Sequence, residues 1–380
     1  MRRVAFVLCF LLILSLLLTL FVTAKRENEP SVLTSTAPAT TARGMALLDA
    51  TSGELLAAHN ADTRLPMAST TKIMTALIVL ERLPLERVVT VPAEAVGIEG
   101  SSVYLYAGEQ ITVETLLYAL LLSSANDAAV ALAVETAGSV ADFAALMNEK
   151  AARLGLFNTH FCNPHGLHDE AHYTTARELA LLSAHALQNE AFAKIVATPR
   201  HTAKQNSTDA TRLFLNHNRL LRSYEGAIGV KTGFTKVAGR CLVSAAAREG
   251  LTLVCVTLSC PNDWRDHTAL LDFGFAAYER FSPAPPALTL PVVGGTCGEV
   301  ALVPALTPAL TLQKPHTPIE CVTELPRFLF GGFAAGKEVG ALIYRLDGIE
   351  IARIPLVTAV AVEKESPPTL WARIKRIFQK

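Results

Sequence analysis

The chain has 380 residues, 51% of them apolar, with 34 Lys and Arg set against 34 Asp and Glu and a mean hydropathy of +0.33. Balanced charge excludes a strongly basic nucleic-acid binder, which needs a counterion-releasing face, and an acidic coil held open by self-repulsion. The length is ample for two or three domains and a large buried core.

In chain order, Arg2 and Arg3 precede an uncharged apolar run from Val4 to Ala24 that closes on Val22-Thr23-Ala24 before Lys25 and Arg26. A basic start, a Leu-rich centre and a small-residue end make residues 1–24 an export signal, and a run of about 21 residues is also long enough to stay as a membrane anchor. Either way the rest of the chain works outside the cytoplasm. Residues 25–43, rich in Ser, Thr, Pro and Ala with no apolar period, read as a flexible tether.

From Gly44 two short apolar runs flank Thr51-Ser52-Gly53, a hairpin pattern, and a helix is expected from Ser69 to about Leu83. Residues 111–154 carry two expected helices and 176–197 one more, all rich in Ala and Leu. Strand patterns return after Asn216: one strand ends at Lys231-Thr232-Gly233, two more are hinged at Arg248-Glu249-Gly250, and a helix over 265–281 follows. Strands at both ends of a mostly helical stretch point to an α+β fold, a sheet layered with helices, rather than alternating βαβ units.

Pro283, Pro285 and Pro286 cannot continue a helix or a central strand, so 282–286 reads as a linker between a domain at 44–281 and a small β-rich domain at 287–363. In the last segment, 367–380, Leu370, Trp371, Ile374, Ile377 and Phe378 share one helical face while Arg373, Lys375, Arg376 and Lys380 fill the rest. A Trp-bearing apolar stripe beside four cations and no acid suits an anionic membrane surface; the alternative is a helix docked on the β-rich domain. Cys9 lies in the leader. Of Cys162, Cys241, Cys255, Cys260, Cys297 and Cys321, the pair Cys241 and Cys255 falls on adjacent expected strands and is the first to inspect for a disulfide, against buried free thiols.

Three short motifs carry the chemistry: Ser69-Thr70-Thr71-Lys72, Ser124-Ala125-Asn126 and Lys231-Thr232-Gly233. Each alone is weak, and a serine opening a helix is usually an N-cap. Lys72, however, lies one turn from Ser69 on the same face of an apolar helix. Desolvation and the positive helix end both disfavour its charged form, which suits a lysine that takes a proton from a serine hydroxyl. Ser124 and Asn126 taken alone form a helix-helix turn. Lys231 and Thr232 offer a cation and a hydroxyl to a carboxylate, and Gly233 allows substrate backbone to lie close. His165, His168, Asp169, Glu170 and His172 cluster in a loop; hydrogen bonding that shapes the loop is preferred to a metal site.

In this order the three motifs resemble the serine penicillin-recognising proteins. The stretches PMASTTKIMTAL, LLLSSANDAAVALA, NPHGLHDEAHYTTARELA and NHNRLLRSYEGAIGVKTGFTKVAGRCLV are similar to the low-molecular-weight D-alanyl-D-alanine carboxypeptidases over about residues 44–280, with Ala125 where many members have Gly. The resemblance implies a β-lactamase/transpeptidase-like fold, no cofactor and no metal, and a substrate ending in D-Ala-D-Ala on peptidoglycan stem peptides, with β-lactams as inhibitors. It further implies Ser69 as nucleophile, Lys72 as its base and Ser124 as proton relay. Asn126 holds the peptide, Lys231 and Thr232 grip the terminal carboxylate, and the backbone N–H groups of Ser69 and Phe234 bind the oxyanion. Arg265 is the candidate for an additional carboxylate-binding arginine. Two rival readings are a β-lactamase, for which no Glu-x-x-Leu-Asn segment precedes Lys231, and a catalytically idle penicillin-binding sensor, for which no motif is lost.

Overall fold

The computed structural model describes residues 36–204, 211–307 and 309–366; the leader at 1–24 and the tail at 367–380 lie outside the described residues. A five-stranded antiparallel sheet runs in the order Leu55–His59, Gly44–Asp49, Leu251–Leu258, Gly239–Arg248, Ala227–Thr235. Strands from both ends of the mostly helical stretch thus share one sheet, as the sequence pattern predicts. The hairpin around Thr51-Ser52-Gly53 pairs Met45 with His59 and Ala46 with Ala58.

One face of the sheet carries the helix Asp263–Ala277. His267 ties it down: its Nδ1 lies 2.6 Å from Ser244 Oγ and its Nε2 2.9 Å from Thr257 Oγ1, on two adjacent strands. Because this contact is fully buried, the His267 imidazole is held neutral, its pKa pushed down to about 3 by desolvation. The other face packs on helices Lys72–Arg82 and Ala176–Leu187 and a helical layer behind them. Helix Val113–Leu122 is buried nearly all round, and Asn126–Ala137 presents Ala128, Ala129, Ala131 and Ala133 to its neighbours with no exposed surface. Such helices are apolar on every side because they are surrounded, and small residues let their axes approach.

Four elements differ from the sequence expectation. The stretch 111–154 holds three helices: Gly138 at φ +85° caps one, and Ser139 caps the next by accepting the Asp142 N–H at 3.0 Å. Ala176–Leu187 and Glu190–Val196 are separate, with Asn189 capping the second through the Phe192 N–H. The hairpin of Arg200–Lys204 with Thr211–Leu215 was not expected, since its residues are mostly polar and only Ala203 and Phe214 are buried. The helix expected over 265–281 ends at Ala277, and Tyr278–Phe281 is a strand paired with Leu310–Gln313.

Beyond the Pro-rich segment, a six-stranded sheet closes over its own core of Leu290, Val300, Leu302, Leu342, Tyr344 and Leu356. Buried Asp49 joins this part to the first sheet by accepting from Arg280 Nη1 at 3.2 Å and from Thr311 Oγ1. Lys314 adds a bond to the Phe275 carbonyl at 2.9 Å.

The tether is shorter than expected. Thr41 donates from both its N–H and its hydroxyl to Asp266 Oδ2 at 2.7 Å, and the Arg43 N–H bonds to the Leu258 carbonyl at 3.1 Å, so these residues belong to the sheet layer. All six described cysteines are free thiols. Cys255 stands opposite Ser244, three positions along the strand from Cys241. An odd offset puts the two side chains on opposite faces of the sheet, which no disulfide can bridge.

Candidate active site

Ser69 sits in a 3-10 turn, Ala68–Thr71, that leads into helix Lys72–Arg82. It is not used as a cap. Thr70 and Thr71 do the local work, their hydroxyls donating to the Met67 carbonyl at 2.6 Å and the Ala68 carbonyl at 2.8 Å. That leaves Ser69 Oγ for Lys72 Nζ, 3.0 Å away.

Lys72 is completely buried. Its Nζ also bonds to Asn126 Oδ1 and to the His165 carbonyl, both at 2.7 Å, so it has three acceptors and none is a carboxylate. Its pKa lies well below the ordinary lysine value, first because burial strips the ammonium of water and second because Lys231 is close; Asp127 opposes the shift. Proton counting then distinguishes the three partners. A neutral amine has two N–H groups and one lone pair. In that neutral form the Asn126 amide oxygen and the His165 carbonyl, which can only accept, would take the two N–H groups, and the lone pair would be left for the one partner that can donate, the Ser69 hydroxyl.

Asn126 is oriented from both ends. Its Nδ2 donates to the Glu99 carbonyl at 2.5 Å, which fixes Oδ1 towards Lys72, and its own N–H bonds to the Ser101 carbonyl at 2.7 Å. The next residue, Asp127, holds the same loop by accepting from Ser102 Oγ at 2.6 Å, Leu105 N at 3.0 Å and Val103 N at 3.1 Å. Between the helices, Ser124 has φ +60°, and Ala68, beside Ser69, has φ +48°. Neither residue is Gly, and such backbone persists only where its surroundings over-determine it.

The strand Ala227–Thr235 supplies the third side. Lys231, Thr232 and Gly233 lie within it rather than at its end, and Lys231 is buried, not exposed. Lys231 Nζ donates to the Thr232 carbonyl at 2.9 Å, and burial pushes its pKa down to about 7. Gly233 has a different reason from the one expected: a Cβ there would stand 3.0 Å from Ser69 N and 3.1 Å from Thr70 N. The glycine lets the serine turn itself press against the strand, which brings the Ser69 N–H beside the backbone of Gly233.

The histidine loop braces the turn from below. The Cys162 N–H donates to His172 Nδ1 at 3.0 Å, so the ring proton is on Nε2, which donates to Thr71 Oγ1 at 2.7 Å; Thr71 in turn donates to the Ala68 carbonyl. His172 is buried and its pKa is pushed down to about 4, keeping this relay neutral. His165 contributes its carbonyl to Lys72, and its Nδ1 accepts from the Leu167 N–H at 3.2 Å. Asp169 is tied to the Ala171 N–H. These side chains serve separate hydrogen bonds instead of converging on one point.

Two clefts meet at Ser69. One, about 540 Å³, is lined by Ser69, Ser124, Thr232, Gly233 and Phe234 and extends to Leu215, His217, Arg219, Arg222, Arg240 and Trp264. The other, about 370 Å³, is lined by Ser69, Gly100, Asn126, His165, Gly166, Leu167, Phe234 and Thr235. Phe234, 65% exposed, stands in both. Arg265 stands in neither. Its side chain is 76% exposed, ion-paired with Asp266 at 3.5 Å, and faces an adjoining depression. Arginines that do line the larger cleft, and the Gly100-Ser101 loop, escaped the sequence reading because they sit outside the three motifs.

Residues 31–262 match the D-alanyl-D-alanine carboxypeptidase family. The D-alanyl-D-alanine carboxypeptidase DacF of Bacillus subtilis is 32% identical over 336 residues, 85% of this chain and 86% of that one. Penicillin-binding protein 5 of Haemophilus influenzae superposes with a TM-score of 0.73 at 30% identity, covering 87% of this chain and 99% of that one. A Streptomyces DD-transpeptidase superposes with a TM-score of 0.60 at 38% identity over 63% of this chain and 99% of its own. The fold is therefore of the β-lactamase/transpeptidase type, and the chain belongs to the D-alanyl-D-alanine carboxypeptidase family as a low-molecular-weight penicillin-binding serine peptidase.

Proposed function

We propose that Ser69 is the nucleophile and Lys72 its general base in removing the terminal D-alanine from peptidoglycan stem peptides. The observation that carries this is the set of partners at Lys72 Nζ: Asn126 Oδ1 and the His165 carbonyl can only accept, so in the neutral amine only the Ser69 hydroxyl can meet the lone pair. Ser69 Oγ adds to the carbonyl between the two D-alanines while Lys72 takes its proton. Negative charge on that carbonyl oxygen is received by the N–H groups of Ser69 and Phe234, the first of them held against the strand by the close contact at Gly233. Ser124, which lines the larger cleft together with Ser69, relays the proton to the leaving amine. Asn126 holds the acyl part, and Lys231 with Thr232 takes the terminal carboxylate. Water then hydrolyses the ester. A β-lactam acylates the same serine and stays on it. Arg265 has no part in this scheme.

The test is covalent labelling. Penicillin adds one acyl group to the chain, found by mass spectrometry on the peptide containing Ser69, and Ser69→Ala abolishes both label and D-alanine release. A label on another residue, or activity surviving Ser69→Ala, refutes the assignment.

The place of action we propose is the outer face of the cytoplasmic membrane. The leader at 1–24 exports the chain, residues 25–40 tether it, the 44–281 domain performs catalysis, and the cationic, Trp-bearing tail at 367–380 holds it at the lipid surface. What supports this is the charge and apolar pattern of those segments and the cell-wall chemistry of the family.

A further inference from the structure

The peptide group that joins Ala68 to Ser69 is held between two glycines. A Cβ at Gly233 would stand 3.0 Å from Ser69 N, and a Cβ at Gly166, which has φ +88°, would stand 1.9 Å from the Ala68 carbonyl oxygen and 2.8 Å from Thr71 Oγ1. The nitrogen of this peptide therefore lies on the side of the strand Ala227–Thr235, and its carbonyl on the side of the histidine loop. The peptide is trans, and a planar trans peptide points its C=O and its N–H in opposite directions. Whatever fixes the Ala68 carbonyl thus also fixes the direction of the Ser69 N–H.

That carbonyl is fixed by a relay of two side chains. Thr71 Oγ1 donates to it at 2.8 Å, and His172 Nε2 donates to Thr71 Oγ1 at 2.7 Å, while the Cys162 N–H keeps the other ring nitrogen an acceptor at 3.0 Å. Thr71 is fully buried and His172 only 3% exposed, and neither lines the two clefts at Ser69. Any effect they have on the reaction must pass through the turn. A threonine hydroxyl bonded three residues back is common in a helical turn. Here, however, a buried imidazole donates to that hydroxyl, so the hydroxyl cannot swing away from the carbonyl, and bonds in such a chain strengthen one another. The relay also has strain to hold, because Ala68 is a non-glycine residue at φ +48°, a backbone that persists only under constraint. The loop itself is anchored separately, by Thr75 Oγ1 donating to the Pro164 carbonyl at 2.6 Å.

We propose that His172 and Thr71 are positioning residues that aim the Ser69 N–H at the oxyanion, acting through the Ala68 carbonyl. This rests on the assignment made above of Ser69 as nucleophile and its N–H as an oxyanion donor. The relay sets the donor before substrate arrives, so no reorientation is needed as charge develops on the carbonyl oxygen.

The experiment uses three variants. Thr71→Val keeps the side-chain shape without the hydroxyl, Thr71→Ser keeps the hydroxyl, and His172→Phe keeps a ring against Phe161, 5.8 Å away between centroids, without either nitrogen. For each, kcat and KM are measured for D-alanine release from a D-Ala-D-Ala peptide, and infrared difference spectra record the ester carbonyl stretch of the β-lactam acyl-enzyme. Thr71→Val should lower kcat about 10- to 30-fold with KM within about threefold, a smaller loss than outright removal of an oxyanion donor. Its ester band should move to higher frequency, because a misaimed N–H polarises the carbonyl less. His172→Phe should show the same pattern with a loss of about three- to tenfold, and Thr71→Ser should restore both rate and band. An unchanged kcat in Thr71→Val overturns the inference. A lost rate with an unmoved band also overturns it, since the relay would then only support the fold. Should circular dichroism show Thr71→Val unfolded, His172→Phe decides by the same two criteria. A wild-type chain that is not acylated, or is acylated away from Ser69, refutes the underlying assignment and this inference with it.

Discussion

Asn126 is where the proton inventory around Lys72 is most directly open to perturbation. Asn126→Asp places a carboxylate oxygen where an amide oxygen now lies 2.7 Å from Lys72 Nζ. Two unit charges about 4 Å apart at an effective dielectric of about 20 attract by about 4 kcal/mol. Burying the new carboxylate offsets part of this, leaving about 3 kcal/mol that favours the charged lysine and raises its pKa. A raised lysine pKa means that the neutral base appears only at higher pH. Acylation by a fluorescent penicillin should therefore fall about a hundredfold near neutral pH and recover as pH rises. Asn126→Ala is the control, because it also removes the bond to the Glu99 carbonyl but adds no charge; it should lower acylation without moving the pH midpoint. The assay is the second-order labelling rate from pH 6 to 10, with intact mass confirming the adduct. An Asn126→Asp profile that parallels wild type would refute the reasoning, since Lys72 would then not be the group whose deprotonation limits acylation.

Gly233→Ala should keep the fold and lose activity: its Cβ, 3.0 Å from Ser69 N, forces the strand from the serine turn, costing about 1–3 kcal/mol of stability in thermal melts and about 10- to 100-fold in acylation. Acylation within twofold of wild type would show that the close contact is not needed. Lys231, with its pKa pushed down to about 7, holds the substrate carboxylate only while protonated, so KM for a D-Ala-D-Ala peptide should rise as pH climbs through about 7. Lys231→Arg stays charged above that range and should flatten KM between pH 6 and 9; the same rise in the variant would assign the titration to another group. Deleting 367–380 from a chain that lacks its leader should abolish sedimentation with anionic vesicles, and persistent binding would place the membrane contact elsewhere.

Much of the site is legible along the chain because the reacting groups lie in short local motifs. Ser69 and Lys72 are one helical turn apart, so their contact follows from helix geometry, and the apolar residues after Lys72 already imply that it is buried. Boundaries were less legible where polar residues dominate. The hairpin of Arg200–Lys204 with Thr211–Leu215 buries only Ala203 and Phe214, too little alternation to mark two strands. The Cys241 and Cys255 pair was misleading for a related reason: neighbouring strands do not reveal register, and register decides which face each thiol takes.

By itself the sequence determined the three motifs, the layered α+β class and the contact of Ser69 with Lys72, because each depends on residues a few positions apart. Only the tertiary structure decided what surrounds them. The Asn126 oxygen and the His165 carbonyl, 54 and 93 residues from Lys72, claim its N–H groups and leave its lone pair to Ser69. Packing decided that Gly233 is needed for the approach of the serine turn, and that Arg265 faces away from the cleft while Arg219 and Arg222 line it. The physical reason is common to all of these: hydrogen-bond partners and cleft walls are chosen by contacts between distant segments, and local pattern carries no record of them.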